Sequence, residues 1–256
     1  MAISIQSIRR ERASRPPIVV AYGGPGIGKT TFAAGAPGVV FIRTEDGLGN
    51  LEADAFPQAQ SFADVMGALT ALATEDHTFR WLALDSLSAL EPLIWSEVAK
   101  AHGKTSIEDL GFGKGYVVAM DYWRQLFDAL TYLANARGMG SVLIAHAEVN
   151  RYEAPDVDAY DRAQIKLHKR AFGLVYERAD VIGYAAQRVM VRKEQLGQDK
   201  SRNHGITTGE RLLHLVERPA YVAKNRYSLP ETLPLSWQAF EAALAASVTP
   251  AAALAA

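Results

Sequence analysis

Gly23-Gly24-Pro25-Gly26-Ile27-Gly28-Lys29-Thr30, with Thr31 after it, puts four glycines in eight residues directly ahead of a lysine and a hydroxyl. The spacing G-x-x-x-x-G-K-[ST] suits a phosphate chain: glycines let the backbone wrap closely and turn its N–H groups inward. Lys29 then reaches the β- and γ-phosphates, and the Thr30 hydroxyl is placed for Mg²⁺. The chemistry expected is therefore the binding of ATP with Mg²⁺. A metal held this way needs a carboxylate at the end of a buried strand opposite the threonine. Trp81-Leu82-Ala83-Leu84-Asp85 offers Asp85; the same residue could instead cap the helix that begins at Ser86. Hydrolysis also needs a base to orient water. Ser86, not an acid, follows Asp85, so the base must come from elsewhere, and Glu45 lies two residues past the apolar run Val39 to Arg43.

The elements that must carry these groups are legible in the hydropathy. Ile18 to Tyr22, Val39 to Arg43, Trp81 to Asp85, Ser141 to Ala145 and Asp180 to Ala185 are short runs without in-out alternation. Such runs predict strands covered on both faces of a parallel sheet. Helical segments at 28–35, 61–74, 87–102 and 116–137 separate them, giving repeated βαβ units and an α/β fold of three layers. Past Asp180 the pattern changes. Arg188 to Arg192, Arg211 to Val216 and Ala220 to Lys224 read as shorter strands, joined by a polar loop, in an antiparallel extension at the sheet edge. Trp237 to Ala246 reads as a helix leading into an Ala-rich tail at 247–256.

Composition bounds the rest. With 49% hydrophobic residues in 256, there is material for one core, taken as a single domain over 16–246. There is no cysteine, which excludes disulfides, thiolate zinc sites and a cysteine nucleophile, and fits a reducing cytoplasm. No apolar stretch nears the roughly 20 residues of a membrane helix, so no membrane partner is expected. A net charge of −1 removes any whole-molecule case for nucleic acid, leaving local clusters. One is the N-terminal arm, residues 1–15, with Arg9, Arg10, Arg12 and Arg15; such arms are commonly only solvated. No Asn-Lys-x-Asp motif is present to read guanine.

Phe41-Ile42-Arg43-Thr44-Glu45-Asp46-Gly47-Leu48 resembles the segment of RecA that carries its catalytic glutamate, and Leu84-Asp85-Ser86-Leu87 resembles RecA's Asp-Ser metal strand. The resemblance implies that Glu45 is the base. It also implies that His146, ending Ser141-Val142-Leu143-Ile144-Ala145, stands where RecA has a γ-phosphate-sensing glutamine. Tyr221-Val222-Ala223-Lys224-Asn225-Arg226 is similar to the cation pair that RecA-like filaments and DnaB-like rings insert into a neighbour's nucleotide site. Lys224 and Arg226 are thereby implied as trans cations; taken alone they read as ordinary residues of an edge strand. Within the RecA-like superfamily the chain looks most like compact phage-encoded RecA-core ATPases of the Sak type.

That resemblance implies single-stranded DNA, copies of the same chain in a ring or filament, and a single-strand-binding protein as partners, in the cytoplasm of a bacterial host. Its two DNA loops correspond to 103–116, with Lys114, and to 147–170. The second holds Arg151, Tyr152, Tyr160, Arg162, Lys166, Lys169 and Arg170, cations for the phosphate backbone and aromatics for base stacking. Glu153, Asp156, Asp158 and Asp161 share that loop, and a solvated loop entering a helix would carry the same charges. The basic stretch 188–204 lacks aromatics. Three functions stay open at this point: an annealing or recombination ATPase on single-stranded DNA, a ring motor or loader, and a slow ATP-dependent switch with protein partners. A small-molecule kinase would leave Lys224 and Arg226 without a purpose.

Overall fold

In a computed structural model of the chain, residues 4–8, 15–155, 158–195 and 201–248 are described. Arg9, Arg10, Arg12, Asp156, Lys200 and the tail beyond 248 lie outside the described residues.

The chain runs through β1 (Ile18–Gly23), α1 (Lys29–Ala34), β2 (Val39–Arg43), β3 (Asp54–Ala55), α2 (Phe62–Thr74), β4 (Trp81–Asp85) and α3 (Leu87–Ala101). It continues with α4 (Lys114–Tyr132), β5 (Gly140–Tyr152), β6 (Tyr160–Ile165), α5 (Lys169–Arg178), β7 (Val181–Gln195) and β8 (Ser201–His214). Last come β9 (Lys224–Asn225), β10 (Thr232–Pro234) and α6 (Trp237–Val248).

One sheet in the order β10-β8-β7-β1-β5-β4-β2-β3 organises the molecule. β1 pairs in parallel with both β5 and β7, and β4 in parallel with β5 and β2, whereas β8 and β10 run antiparallel at the edge. Uninterrupted apolar runs form strands here because each face of the sheet has its own core. Ile18, Val20 and Tyr22 of β1 face one core with Leu69, Leu90, Leu126 and Val175 of α2 to α5. Val19 and Ala21 face the other, with Phe32 of α1 and Trp237 and Phe240 of α6. The expected three-layer α/β sandwich with an antiparallel edge is the observed fold.

Local chemistry starts the helices at the right places. Ser61 caps α2 by accepting the Asp64 N–H, while Asp64 returns the favour to the Ser61 N–H. Ser86 caps α3, its hydroxyl accepting the Ala89 N–H at 3.2 Å. Asp85 is thus not the helix cap, and its carboxylate is left for another use.

Two expectations are corrected. The first two of the three short edge strands belong instead to one long hairpin, β7 with β8, interrupted by a bulge between Gln187 and Val189, while of the third only Lys224 is in a strand, β9, and Ala220 to Ala223 form none. Cross-strand pairing continues through the polar stretch, so polarity did not mark a loop there. Likewise 147–170 is not one open loop. β5 runs on to Tyr152 and pairs antiparallel with β6, residue for residue from Ala147↔Ile165 to Tyr152↔Tyr160.

Candidate active site

Parallel strands that share one direction bring their C-terminal ends to one edge of the sheet, and ligands of open α/β sheets lie in the crevice there. β1 ends at Gly23, level with His146 on β5. Asp85 ends β4 and pairs with Arg43 at the end of β2, so Glu45 follows directly beside it. A cleft of about 420 Å³ opens at this edge, lined by Gly28, Lys29, Thr30, Glu45, Asp85 and His146 among others. Residues separated by up to 118 positions, from Gly28 to His146, are thus gathered by strand order.

The glycine loop needs its glycines. A Cβ on Gly23 would stand 2.3 Å from the Ala185 carbonyl oxygen of β7, and Gly28 has φ +105°, a left-handed conformation that side chains resist. Ile27 turns inward to pack with Phe32, leaving Pro25, Gly26 and Gly28 to Thr31 on the cleft wall. Gly24 offers a carbonyl rather than a cleft surface: the Lys29 ammonium donates to it at 2.9 Å and to the Gly23 carbonyl at 3.0 Å. Lys29 is buried, and desolvation lowers its pKa against the opposing pull of Asp85 and Glu45. A buried ammonium held only by neutral carbonyls favours an anionic ligand.

Thr30 Oγ1 donates to Asp85 Oδ2 at 2.8 Å. Burial raises the Asp85 pKa, and Glu45 raises it further, while the Thr30 hydrogen bond, Lys29 and His146 act the other way. A hydroxyl and a carboxylate in contact are the hard oxygen donors Mg²⁺ prefers. Among the described residues no three His, Cys, Asp or Glu side chains converge as a metal site. These two groups therefore fit a Mg²⁺ that takes its remaining ligands from phosphate and water, rather than one caged by protein.

Glu45 and His146 meet across the cleft, Nε2 lying 3.1 Å from Oε1 and 3.4 Å from Oε2, with both side chains about one-third exposed. His146 also donates its backbone N–H to Ser88 Oγ of α3. Beneath Glu45, Thr44 clasps the start of α3: its hydroxyl donates to the Ser86 carbonyl and accepts the Ser86 N–H, each at 2.8 Å.

Lys224 and Arg226 lie elsewhere in their own chain. β9 pairs with Val181 and Ile182 at the start of β7, away from the end where the glycine loop leaves β1. Lys224 donates to the carbonyls of Tyr176 and Glu177 at the end of α5, and Arg226 donates to the Glu177 carbonyl and contacts Asp180. Both complement a helix C-terminus. Arg15, read as part of a solvated arm, is tied to Asp180 at 3.0 Å.

The residues expected at nucleic acid divide similarly. On the β5–β6 hairpin the rings of Tyr152 and Tyr160 are 5.4 Å apart, and the Arg162 guanidinium lies over Tyr152 at 5.0 Å. Arg162 is also paired with Glu217, and Arg151 faces Asp161 at 4.0 Å. Lys114, Lys166, Lys169 and Arg170 are exposed at or near the ends of α4, β6 and α5. Phe112, on the turn before α4, is fully exposed.

Sequence reasoning missed Arg211, Asp46, Gly47, Leu48 and Leu51 on the cleft wall. A Cβ on Gly47 would sit 2.9 Å from Asp85 Oδ2, so this glycine lets the loop after β2 close on the Asp85 carboxylate. The Asp46-Gly47 pair directly after Glu45, inside the same segment, was the available signal; for Arg211 there was none.

Fold and site together define a P-loop nucleotide-binding protein. Residues 15–227 match the AAA_24 family model, described as an AAA domain, and the chain belongs to that family. It is accordingly a P-loop ATPase of the AAA type, a class that binds its nucleotide typically with Mg²⁺. No curated protein matches the chain. Among the described residues no helix is long and apolar enough to cross a membrane.

Proposed function

We propose that the chain binds and hydrolyses Mg-ATP in the cleft at the end of β1, and that it does so as a RecA-like protein assembling with its own copies on single-stranded DNA in recombination or annealing. The observation that carries the catalytic half is the meeting of Lys29, Thr30, Asp85, Glu45 and His146 within one cleft.

On this reading Lys29 leaves the Gly23 and Gly24 carbonyls for the phosphate oxygens, which restores the charged partner its burial calls for. Thr30 and Asp85 would hold a Mg²⁺, which would neutralise phosphate charge when bound. Glu45 orients a water and takes its proton as the water oxygen bonds to the γ-phosphorus and the bond to the β–γ bridging oxygen breaks, releasing ADP and phosphate. His146, touching Glu45, sits where the presence of a γ-phosphate changes the carboxylate's surroundings.

The nucleic-acid half is supported by the hairpin. β5 carries His146 at the cleft and then continues outward to Arg151 and Tyr152, so one strand joins the two regions. Tyr152, Tyr160 and Arg162 offer rings and a cation of the kind that stacks on bases. The slow-switch reading has its own support in Lys224 and Arg226, whose cations are taken up inside their own chain.

The test is ATP turnover with and without single-stranded DNA, with particle size followed, for the wild-type chain and Glu45→Gln. Hydrolysis stimulated by DNA together with growth in particle size is expected. In Glu45→Gln, ATP binding should persist while turnover drops by roughly 10² to 10⁴-fold. Normal turnover in that variant removes Glu45 as the base, and a rate and size indifferent to DNA favour the switch.

A further inference from the structure

We propose that Arg211 is a nucleotide-binding cation of this cleft, supplied by the same chain, and that it pairs with the phosphate chain on the side away from the γ-phosphate. The inference rests on the reading of the cleft as an ATP site.

Arg211 sits near the end of β8, paired with Gln187 of β7, and β7 lies beside β1. That brings its side chain back over the glycine loop. A Cβ built on Gly28 would be 3.0 Å from Arg211 Nη1 and 3.9 Å from its Cδ. The guanidinium therefore lies against the loop residue next to Lys29, and Arg211 lines the same cleft.

Among the described residues its charge is uncommitted. Arg188 pairs with Glu210 and Arg218 pairs with Glu231, but among the described residues no carboxylate or carbonyl takes the Arg211 guanidinium. Lys29 and Arg211 are the two lysine or arginine side chains on the cleft wall, facing the carboxylates Glu45, Asp46 and Asp85. Lys29 together with a Mg²⁺ on Thr30 and Asp85 would only offset the three carboxylates, so a triphosphate with about four negative charges calls for a further cation. Lys224 and Arg226, expected to serve a neighbour's site, are held beside the start of β7, away from this cleft.

The sheet order fixes which part of the nucleotide Arg211 meets. Asp85 and Glu45 belong to β4 and the end of β2, on one side of β1, and they mark the metal and the attacking water. β8 lies on the other side of β1, beyond β7. Arg211 consequently faces phosphate oxygens that ATP and ADP share. It can also approach them bidentately, as a guanidinium fork does and an ammonium does not. Contacts made equally in ground and transition states alter KM and leave kcat.

The experiment titrates full-length wild type, Arg211→Gln, Arg211→Lys and Lys29→Ala with Mg-ATP and Mg-ADP by calorimetry, and measures kcat and KM for each. A thermal melt checks that every variant folds. The expected result is that Arg211→Gln weakens ATP and ADP alike, by about tenfold or more for a lost charge-assisted pair, with saturating turnover within a fewfold of wild type. Arg211→Lys, which keeps charge but not the fork, should recover part of the affinity and serves as the folded reference. An unchanged ADP affinity in Arg211→Gln overturns the proposal, and a loss confined to ATP with collapsed kcat moves Arg211 to the γ-phosphate and overturns its placement. Equimolar Lys29→Ala and Arg211→Gln should show no more turnover than the two separately; recovery on mixing would mean that Arg211 serves a neighbour. If wild type itself binds neither nucleotide, the ATP reading fails, independently of Arg211.

Discussion

Glu91 allows a quantitative prediction far from the cleft. It lies within α3 at 6% exposure, and both carboxylate oxygens accept the His168 N–H, each at 3.0 Å, where β6 passes into α5. Burial raises its pKa from 4.5 to about 7; the His168 hydrogen bond lowers it, and Glu148 adds to the rise. No lysine or arginine pairs with it among the described residues. Because the folded value is the higher one, the folded state keeps a proton that the unfolded chain has released between pH 4.5 and 7. The contribution to stability is complete below the unfolded value and is lost as pH climbs through the folded one. At about 1.4 kcal/mol per pH unit the loss has a ceiling of about 3.5 kcal/mol, and relaxation or water entry brings the expected figure to about 1–2 kcal/mol. Glu91→Gln keeps an oxygen that accepts the His168 N–H and cannot ionise. Urea unfolding of both proteins at pH 5 and pH 8 isolates the effect, because every other titrating group cancels in the comparison. The variant should match wild type within about 1 kcal/mol at pH 5 and exceed it by about 1–2 kcal/mol at pH 8. An equal pH dependence in the two proteins, or a variant weaker at pH 8, refutes the assignment of a buried, proton-holding carboxyl.

Two further outcomes follow from particular contacts. Gly47→Ala places a methyl within 2.9 Å of Asp85 Oδ2 and must push that carboxylate off Thr30 Oγ1; nucleotide affinity should fall severalfold with Mg²⁺ present and hardly at all in EDTA, and an unchanged metal dependence would dissociate Asp85 from the metal. Arg226→Ala removes a half-exposed ion pair to Asp180 and a contact to the end of α5, so it should lower stability by at most about 1 kcal/mol while turnover per folded molecule holds at low and high protein concentration; turnover lost only at high concentration would make Arg226 a cation for the neighbouring subunit.

Much of this protein was readable from local sequence because the relevant physics is local. A glycine run ahead of Lys29 and Thr30 has few other uses, and apolar runs such as Val39 to Ile42 have to be covered on both faces. Ser61 and Ser86 cap helices by bonding residues three positions on. Those signals placed the strands, with Asp85 at the end of β4 and Glu45 just past β2, whereas His146, expected to end its strand, lies within β5 level with Gly23. What local sequence could not state is which strands become neighbours and what a long side chain meets after the chain returns. Only the order β8-β7-β1-β5-β4-β2 brings Asp85 against Thr30, Glu45 against His146, and Arg211 against Gly28, a residue 183 positions earlier. The same order sends Lys224 and Arg226 to the end of α5, where carbonyls and Asp180 take their charge. Residue type and spacing determined that a phosphate could be held; pairing between distant strands decided which charges surround it.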